Sequence, residues 1–504
     1  MLTARWRWLI AIAFAYLYFF PYFPKINSAN ELPRAYLVKA IADEHAFHID
    51  TGVRRWVGTA DVSPSGGHLY SNKAPGSSML AVPPYAAVRV VAGEPSLAVT
   101  VWIARVASGI VPMLAFLWLL YGFLARFTPD PAIRRLTLVA YALGSMAMTY
   151  SILFYSHQLG AVCIGSAWIL ATDVAERRRG LGAMAAAGAL AGAAPLVDYQ
   201  AAFAGVPVAV YVVVKMWRWP RRELLRAVGV AAAAAAIPLA VMFAYHAVCF
   251  GSPLRTGYDA STTFAHFHQE GFLGMTRPRW EAFWGSFFSL DNGLLPLAPW
   301  TLLAIPGGIL LARRDRAMAW TCAAVAAIYV LFISSINFWR GGWGVGPRYV
   351  TAMLPFLLPL VATALDAWRA RGLRIAVAGG LVFAGVAIYT LSSATFPYWP
   401  DSMRHPMFDA TGRLLADGLT APNAATWAGA PAWLALLPYL AVVGGLAYAC
   451  LRPVAGPRRT AAAACLAAAL IGAYALHPGL GRDTGGRDVA PRYGFVRAAV
   501  AERL

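Results

Sequence analysis

Long apolar runs, separated by short polar or charged connections, make up most of the chain. A helix needs about 20 mainly apolar residues to cross the hydrocarbon core of a bilayer, and thirteen runs approach or exceed that length. The pattern predicts an all-α polytopic membrane protein with about 13 transmembrane helices. The predicted spans lie at about residues 7–24, 97–124, 136–155, 158–174, 181–198, 200–216, 227–249, 294–312, 317–336, 349–367, 375–392, 432–451 and 460–476.

Basic residues are concentrated in every second connection between these spans. If the N-terminus is cytoplasmic, the cytoplasmic connections hold just over half of the 42 basic residues but only about a quarter of the 23 acidic ones. Cytoplasmic loops of membrane proteins carry such an excess of Lys and Arg. We therefore expect a multi-pass protein of the cell (inner or plasma) membrane, with a cytoplasmic N-terminus.

The longest polar stretches then fall on the extracytoplasmic side. Residues 25–96 form a long first external loop, because the apolar stretch at 77–92 is short and contains Pro83, Pro84 and Arg89. Such a stretch fits an interfacial helix better than a span. Counting it as a span would also invert every later arginine cluster. The other external pieces are 250–293, 337–348, 393–431 and the tail at 477–504, all within a single integral membrane domain, 1–504.

Composition narrows the class of protein further. Hydrophobic residues make up 59% of the chain and charged residues 13%, whereas roughly a quarter of the residues in soluble domains are charged. The net charge of +19 would suggest nucleic acid in a soluble protein, but here it mainly follows membrane topology. The five cysteines lack metal-ligand spacing, and the first apolar run lacks a small-residue cleavage site, so it is expected to remain as a span.

The first external loop is the richest in candidate chemistry. An amphipathic helix from about Leu32 to Ala42 would place Glu31 and Arg34 near its start. A carboxylate there suits a general base, with the guanidinium orienting it or binding an anion; a helix cap with a salt bridge is the alternative. Lys73 follows in GHLYSNKAPGSS, where its ammonium is suited to a phosphate. Snorkelling to lipid headgroups explains Lys73 as well.

Two further polar positions face the same side. His157 stands between the third and fourth spans, and Asp198 with Tyr199 stands between the fifth and sixth. An unpaired carboxylate at this depth is costly, so Asp198 is expected to pair with Arg34, Lys73 or His157. A purely structural role is the alternative for His157.

A short external loop, NFWRGGWGVGPRYV, carries Arg340, Arg348 and Tyr349. Its four glycines expose backbone N–H groups and its arginines offer forked donors, which together favour anion binding. An interfacial aromatic belt explains the same composition.

The sequence predicts no resident metal ion and no required cofactor, although a divalent ion stays optional. His266 and His268, with Glu270, lack a third well-placed ligand. Neither a nucleotide-binding glycine loop nor a Gly-x-Ser-x-Gly element occurs in the sequence.

The order of these residues resembles that of the GT-C membrane glycosyltransferases, in particular the bacterial aminoarabinose transferases and protein O-mannosyltransferase-like enzymes. Those enzymes carry an Asp-Glu pair, an Arg-Tyr helix and a Lys-Pro-Pro motif. The corresponding stretches here are Asn30-Glu31, Arg34 with Tyr36, and Lys73-Ala74-Pro75, and GPRYVTAMLPFLLP is similar to the start of an Arg-Tyr-containing span of the family.

Two positions depart from the family pattern. Asn30 replaces the acid that usually has the catalytic role, and His157-Gln158 lies where a family acid often begins the fourth span. The resemblance is best over the first 200 residues. It implies that 97–249 completes the shared GT-C helix module and that 250–476 holds variable helices and loops.

The resemblance implies a sugar transfer from a polyprenyl-phosphate-linked donor to a lipid, glycan or protein acceptor, with inversion, at an extracytoplasmic active site. Glu31 would be the base, and Lys73 with Arg348 or Arg340 would bind and stabilise the leaving phosphate. Asp198 and His157 would orient the sugar or the acceptor. Further candidate substrate-binding residues are Asn30, Arg34, Tyr199 and Tyr349. Membrane lipids are expected partners, and nucleic acid is not.

Three other functions remain open from the sequence. A transporter or flippase of lipid-linked sugars would use the same cationic cavity without a base, but broken helices and inverted repeats are not evident in the sequence. An O-antigen-ligase-like or polymerase enzyme would carry its largest external loop late in the chain. Asn30 also leaves open a scaffold without catalytic activity.

Overall fold

A computed structural model describes residues 6–19, 28–263, 265–268, 270–403, 405–476 and 489–501. This part of the chain is mainly helical, and its one sheet is an antiparallel hairpin of β1 (Val62–Ser65) and β2 (His68–Ser71). The α-helices of the N-terminal half are α1 (Arg7–Leu17), α2 (Leu32–Lys39), α3 (Asp50–Arg55), α4 (Gly76–Ala92), α5 (Leu97–Arg105), α6 (Val111–Phe123), α7 (Pro131–Leu143), α8 (Met146–Ile152), α9 (His157–Ala175), α10 (Leu181–Val197), α11 (Gly205–Met216) and α12 (Arg221–Phe250). Those of the C-terminal half are α13 (Ala265–His268), α14 (Trp280–Phe287), α15 (Leu294–Leu297), α16 (Ala304–Ala312), α17 (Arg316–Ser335), α18 (Leu354–Trp368), α19 (Gly372–Thr395), α20 (Arg413–Ala416), α21 (Ala424–Trp427), α22 (Ala432–Ala455), α23 (Pro457–Leu476) and α24 (Val489–Ala501).

Every predicted span corresponds to helical structure in the described residues. Eight helical stretches are long and apolar enough to cross a membrane: Leu97–Arg126, His157–Ala175, Tyr199–Met216, Arg221–Phe250, Arg316–Ser335, Arg348–Trp368, Gly372–Thr395 and Ala432–Ala455. Three shorter apolar helices, Arg7–Leu17, Leu181–Val197 and Pro299–Ala312, match further predictions. The two remaining predicted spans, 136–155 and 460–476, correspond to α7 with α8 and to α23, respectively. The prediction of an all-α polytopic membrane protein is confirmed.

Parts of several predictions lie outside the described residues. These are the end of the first span, 20–24, the start of the first external loop, 25–27, single positions of the external pieces 250–293 and 393–431, and the segments 477–488 and 502–504 of the predicted external tail. The predicted interfacial stretch at 77–92 is helical as α4 and is not among the eight long apolar stretches. Its position at a membrane surface stays a prediction.

Small residues let α10 and α12 pack with their backbones in close contact. A Cβ atom on Gly188 would overlap the carbonyl group of Ala231, and one on Gly192 would overlap that of Ala235. The alanine tract at 231–236 presents the flat surface that such an approach requires. The close packing of α10 and α12 therefore depends on small residues on both helices.

The third predicted span is broken, which corrects the expectation of continuous helices. The break between α7 and α8 falls at Gly144, where a Cβ would lie 3.0 Å from the backbone nitrogen of Val386 on α19. The Gly144 carbonyl, outside the regular helix, accepts a hydrogen bond from Nε1 of Trp300 at 2.6 Å. Ser145 then caps α8 by accepting from the Ala147 N–H. Trp300 and Val386 are distant in sequence from Gly144, so hydropathy alone does not reveal the break.

Several connections that carry the arginine clusters meet at one end of the bundle. Arg126 forms ion pairs with Asp173 and Glu176, and Lys215 lies 3.0 Å from Asp315. These contacts join the connections after α6, α9, α11 and α16. The alternation of basic loops predicts this clustering, and the side of the membrane that the cluster faces stays a prediction.

The first external loop forms a layer near the end of the bundle at which α5 begins. The helix predicted from Leu32 to Ala42 is α2, which continues as a π-helical turn, Ala40–Glu44. Within this loop, the segment before α3 is tied to the hairpin by the Ile49 N–H, which donates to the Leu69 carbonyl at 2.7 Å. This hydrogen bond helps to fix the position of the hairpin and of the residues that flank it.

Candidate active site

A cavity of about 480 Å³ lies between the first external loop and the loops at 250–293 and 337–348. Its polar lining comes from Ser28, Asn30, Asp61, Lys73, His268, Arg348 and Asp401. Its aromatic lining comes from Tyr155, Tyr258, Phe267, Phe338, Trp343, Tyr349, Tyr398 and Phe495. Charged groups and flat rings from distant parts of the chain thus share one space.

The hairpin places Asp61 beside Lys73. Its register pairs Val62 with Ser71, so the residues that flank the two strands lie next to each other. Lys73 Nζ is 3.0 Å from Asp61 Oδ2, and Asn72 Nδ2 donates to Asp61 Oδ1 at 3.2 Å. Asp61 and Lys73 are both buried. The local turn therefore produces an ion pair inside the cavity.

The surroundings of Lys73 lower its pKa. Burial lowers the pKa of Lys73 to about 8, because an ammonium group loses hydration when it leaves water. The Asp61 carboxylate raises the pKa, while the guanidinium groups of Arg34 and Arg348 lower it. An anion in the cavity would oppose this loss of positive charge.

Arg348 faces the cavity between two tyrosine rings. Its guanidinium carbon is 5.3 Å from the ring centre of Tyr155 and 5.4 Å from that of Tyr349. The residue is buried, yet its Nε has no hydrogen-bond partner among the described residues. A Cβ at Gly341 would lie 2.7 Å from this nitrogen, so glycine leaves room for the guanidinium. Because an unpaired buried donor is costly, Arg348 is suited to receive an anion.

Aromatic side chains form the wall of the cavity next to Lys73. Lys73 Nζ lies 5.5 Å from the ring centre of Tyr258, and His268 packs on the same tyrosine with 4.5 Å between ring centroids. Phe267 stacks on Phe338 at 4.6 Å. Burial lowers the pKa of His268 to about 4, so this imidazole is neutral at pH 7. These side chains therefore form an uncharged wall.

The C-terminal helix α24 supplies part of the cavity rim. Phe495 packs edge-on against Trp343, with 5.6 Å between ring centroids. Tyr493 and Arg497, on the same helix, donate to Asp417 Oδ2 at 2.7 and 2.8 Å. These contacts hold α24 next to the cavity.

Glu31 lies behind the cavity wall. Its two carboxylate oxygens form a bidentate ion pair with Arg105, with Nε–Oε1 and Nη2–Oε2 distances of 2.9 Å each. Tyr398 and the backbone N–H of Phe154 donate to the same carboxylate. Glu31 is fully buried and is not among the described residues that line the cavity. The geometry fits the salt-bridge alternative, with Arg105 rather than Arg34 as partner, better than a general base.

Arg34 and Asn30 connect the first loop to the cavity. Arg34 Nη1 donates to Asn30 Oδ1 at 2.8 Å, and Nη2 donates to Ser156 Oγ at 2.6 Å. Its Nε donates to Ser77 Oγ at 3.3 Å. Asn30 itself lines the cavity, so Arg34 orients a residue of the wall.

His157 and Asp198 form one of the three pairings expected for Asp198. His157 Nδ1 lies 2.9 Å from Asp198 Oδ2, to which Gln200 Nε2 donates at 3.1 Å. The His157 ring packs edge-on against Tyr349, with 5.6 Å between centroids. Neither His157 nor Asp198 is among the described lining residues. The pair therefore supports the wall from behind.

The side chains of the remaining two candidates, Arg340 and Tyr199, form polar contacts with other residues. Arg340 pairs with Asp291 and donates to the backbone carbonyl of Asp401 at 3.1 Å. The Tyr199 hydroxyl lies 2.8 Å from His246 Nε2. In the described part of the chain, the cavity lining includes neither Arg340 nor Tyr199.

Sequence reasoning missed Asp61, Tyr258 and Phe495. Asp61 could have been found, because Gly66-Gly67 between two short β-prone stretches is a hairpin turn that places the flanking residues together. Tyr258 and Phe495 reach the cavity from distant loops and helices. Their sequence context carries no comparable signal.

Comparisons with known proteins support the fold. No protein-family model and no curated protein matches the sequence. The crystal structure of ArnT from Cupriavidus metallidurans in the apo state is similar with a TM-score of 0.50 and 15% sequence identity, covering 92% of this chain and 76% of that one. The crystal structure of ArnT from the same organism bound to undecaprenyl phosphate gives a TM-score of 0.49 and 16% identity, with the same coverage. From its helices and its likeness to apo ArnT, the chain is an all-α polytopic membrane protein with the GT-C fold.

Proposed function

We propose that this protein is a membrane glycosyltransferase that moves a sugar from a polyprenyl-phosphate-linked donor to an acceptor on the extracytoplasmic side. The observation that carries the proposal is the cavity in which Lys73, Arg348 and Asp61 lie together. Two cations suit a phosphate leaving group, and a carboxylate suits proton removal from the attacking group. The GT-C fold provides the membrane setting for both.

Lys73 and Arg348 are the proposed phosphate ligands. Arg348 has a buried Nε without a partner among the described residues, and the Lys73 ammonium has three N–H donors, more than its ion pair with Asp61 requires. Hydrogen bonds from both groups strengthen as negative charge develops on the leaving phosphate oxygen. They would therefore stabilise the transition state more than the bound donor.

Asp61 is the proposed general base, in place of Glu31. The acceptor hydroxyl or amine attacks the anomeric carbon from the side opposite the phosphate, and its proton passes to Asp61. The bond from that carbon to the phosphate oxygen breaks, and its electron pair leaves with the polyprenyl phosphate. The anomeric configuration inverts. Asp61 lies in the cavity, whereas the Glu31 oxygens are occupied by Arg105, Tyr398 and Phe154.

The other predicted residues are proposed as positioning residues. The His157–Asp198 pair supports Tyr349, and Arg34 orients Asn30, whose amide would contact the sugar or acceptor. Tyr199 and Arg340 would act only through their neighbours.

The setting of the cavity supports a donor of the polyprenyl-phosphate class. A polyprenyl tail would stay in the bilayer while its phosphate reaches Lys73 and Arg348, and undecaprenyl phosphate, bound in one ArnT structure, is a compound of this class. The acceptor is a lipid, glycan or protein of the envelope. The proposed chemistry uses no resident metal ion and no nucleotide.

The test uses purified protein in detergent, radiolabelled polyprenyl-phosphate sugars and extracted envelope acceptors. Asp61→Asn is expected to lower the turnover number roughly 10²- to 10⁴-fold, the range for loss of a general base. Lys73→Ala is expected to raise the KM for the donor and to lower turnover as well. Wild-type transfer by both variants would contradict the proposed site.

Three further variants separate chemistry from folding. Glu31→Gln is expected to lower the melting temperature, because it leaves Arg105 as an uncompensated buried charge, while the folded fraction keeps most of its activity. Glu281→Gln changes an exposed carboxylate, and Lys215→Ala removes a lysine at the basic end; both should transfer sugar like the wild type. Loss of turnover in Glu31→Gln with normal turnover in Asp61→Asn would restore Glu31 as the base.

A further inference from the structure

Three potential metal ligands converge in the first external loop, away from the residues of the cavity. Asp50 is the first residue of α3, His48 lies two residues before it, and His68 is the first residue of β2. Their ligand atoms, one per side chain, all lie within 4.8 Å of one another. From this arrangement we propose that His48, Asp50 and His68 bind a divalent transition-metal ion of the Zn²⁺ type.

The three side chains are close enough to share one ion. Asp50 Oδ2 is hydrogen-bonded to His68 Nδ1 at 2.6 Å and lies 3.3 Å from His48 Nδ1. Binding of an ion would replace this hydrogen bond and widen the shorter separation. Ligand atoms about 2.0–2.2 Å from a tetrahedral Zn²⁺ ion lie roughly 3.4 Å apart. Two imidazole nitrogens and one carboxylate oxygen are a common Zn²⁺ donor set, and the fourth position would hold water.

An unsatisfied nitrogen points to a ligand at this place. The Nδ1 atom of His48 is buried and has no hydrogen-bond partner of adequate geometry among the described residues, although Asp50 is close. The rings of His48 and His68 stack with 4.4 Å between centroids, so the two imidazoles lie side by side next to Asp50 Oδ2. A metal ion would satisfy the free lone pair and supply the positive charge beside Asp50.

The surrounding backbone orients the carboxylate for this role. Asp50 Oδ1 accepts a hydrogen bond from the Leu69 N–H at 2.8 Å, which leaves Oδ2 directed at the histidines. Such hydrogen bonds to the outer oxygen are usual in metal sites. His68 is 48% exposed in its side chain, so its ring has room to turn toward an ion.

Binding would join α3 to the hairpin. Residues 49 and 69 already share a backbone hydrogen bond, and β2 leads directly to Lys73. The ion would therefore stiffen the segment that positions the Asp61–Lys73 pair, while the ligands remain separate from the cavity lining. Binding of the ion is independent of the glycosyltransferase proposal.

The experiment measures metal binding by the full-length protein in detergent. Protein stripped with a chelator is dialysed against Zn²⁺, and bound zinc is measured by elemental analysis alongside the melting temperature. The wild type is expected to bind one tight equivalent and to melt at a higher temperature with Zn²⁺ than with chelator. His68→Ala and Asp50→Asn are expected to weaken binding more than about tenfold and to lose the zinc-dependent shift.

Matched variants keep the result interpretable. His266→Ala removes an exposed histidine from another external loop and should bind like the wild type, whereas His68→Cys supplies another Zn²⁺ ligand and should retain binding. Equal melting temperatures of wild type and His68→Ala in chelator would show that the variant folds. A wild type without a tight equivalent, or a His68→Ala variant that binds as tightly, would overturn the proposal.

Discussion

The Asp61–Lys73 pair shows how burial sets the properties of a single residue. The carboxylate keeps an ammonium group in a cavity where burial and two guanidinium groups oppose its charge. Because burial lowers the pKa of Lys73 to about 8, a small rise in pH removes the charge proposed to bind the donor phosphate. The pair therefore connects pH to donor binding.

We expect kcat/KM for the donor to fall as pH rises through about 8, since this ratio reports ionisation of the free enzyme. The free energy of unfolding, in contrast, should rise with pH. The folded pKa lies below the ordinary lysine value, so the unfolded chain binds more protons between the two values and the unfolding free energy rises with pH there. Steady-state kinetics and thermal melting over pH 6.5 to about 10 would measure both trends.

Lys73→Arg is the control for this dependence, because arginine stays protonated throughout the range. Its residual kcat/KM should lack the decline near pH 8. The same decline in Lys73→Arg would assign the ionisation to another group.

At the scale of elements, short segments far apart in the chain build the cavity. The hairpin contributes Asp61 and Lys73, the loop before α18 contributes Arg348, and α24 contributes Phe495. Asp417, immediately after α20, holds α24 through Tyr493 and Arg497. The C-terminal helix is thus part of the cavity wall.

Asp417→Ala is expected to loosen α24 and to raise the KM for donor or acceptor about two- to fivefold, the size of effect typical of exposed ion pairs. The turnover number should change little, because Asp417 is outside the cavity. Initial-rate kinetics with each substrate varied in turn would measure both quantities.

Phe495→Ala should give a similar KM change, because it removes the cavity contact while the Asp417 contacts remain. The exposed-carboxylate variant Glu281→Ala should leave both constants unchanged. An unaltered KM in both Asp417→Ala and Phe495→Ala would show that α24 does not shape the substrate site.

At the scale of the whole molecule, charge separates the two ends of the bundle. Ion pairs such as Arg126–Asp173 and Lys215–Asp315 join the basic connections at one end. The cavity is built from loops that alternate with these connections along the chain. The positive-inside rule then predicts a cytoplasmic basic end and an extracytoplasmic cavity.

Cysteine labelling in sealed, right-side-out membrane vesicles tests this orientation. Thr262→Cys, exposed in the loop before α13, should react with a membrane-impermeant maleimide in intact vesicles. Arg178→Cys, exposed in the connection after α9, should react only after permeabilisation. Both variants would carry Cys465→Ser to remove the exposed native thiol. The reverse pattern would invert the proposed topology.

The apolar pattern alone determines the membrane class, the thirteen helical segments and the alternation of basic loops. These properties depend on transfer of continuous local segments into lipid and on charge counts in adjacent loops. The order Asn30-Glu31, Arg34, Lys73 and Arg348 also indicates the fold and the region of the proposed site.

Tertiary structure alone decides which charged groups share the cavity. Glu31 is buried in an ion pair with Arg105, 74 positions later in the chain, and is not among the described residues that line the cavity. The hairpin places Asp61 in the cavity lining, and α24 contributes Phe495. A buried charge must find its partner in three dimensions, since leaving it unpaired is costly. Partner choice therefore depends on long-range packing, which local periodicity does not encode.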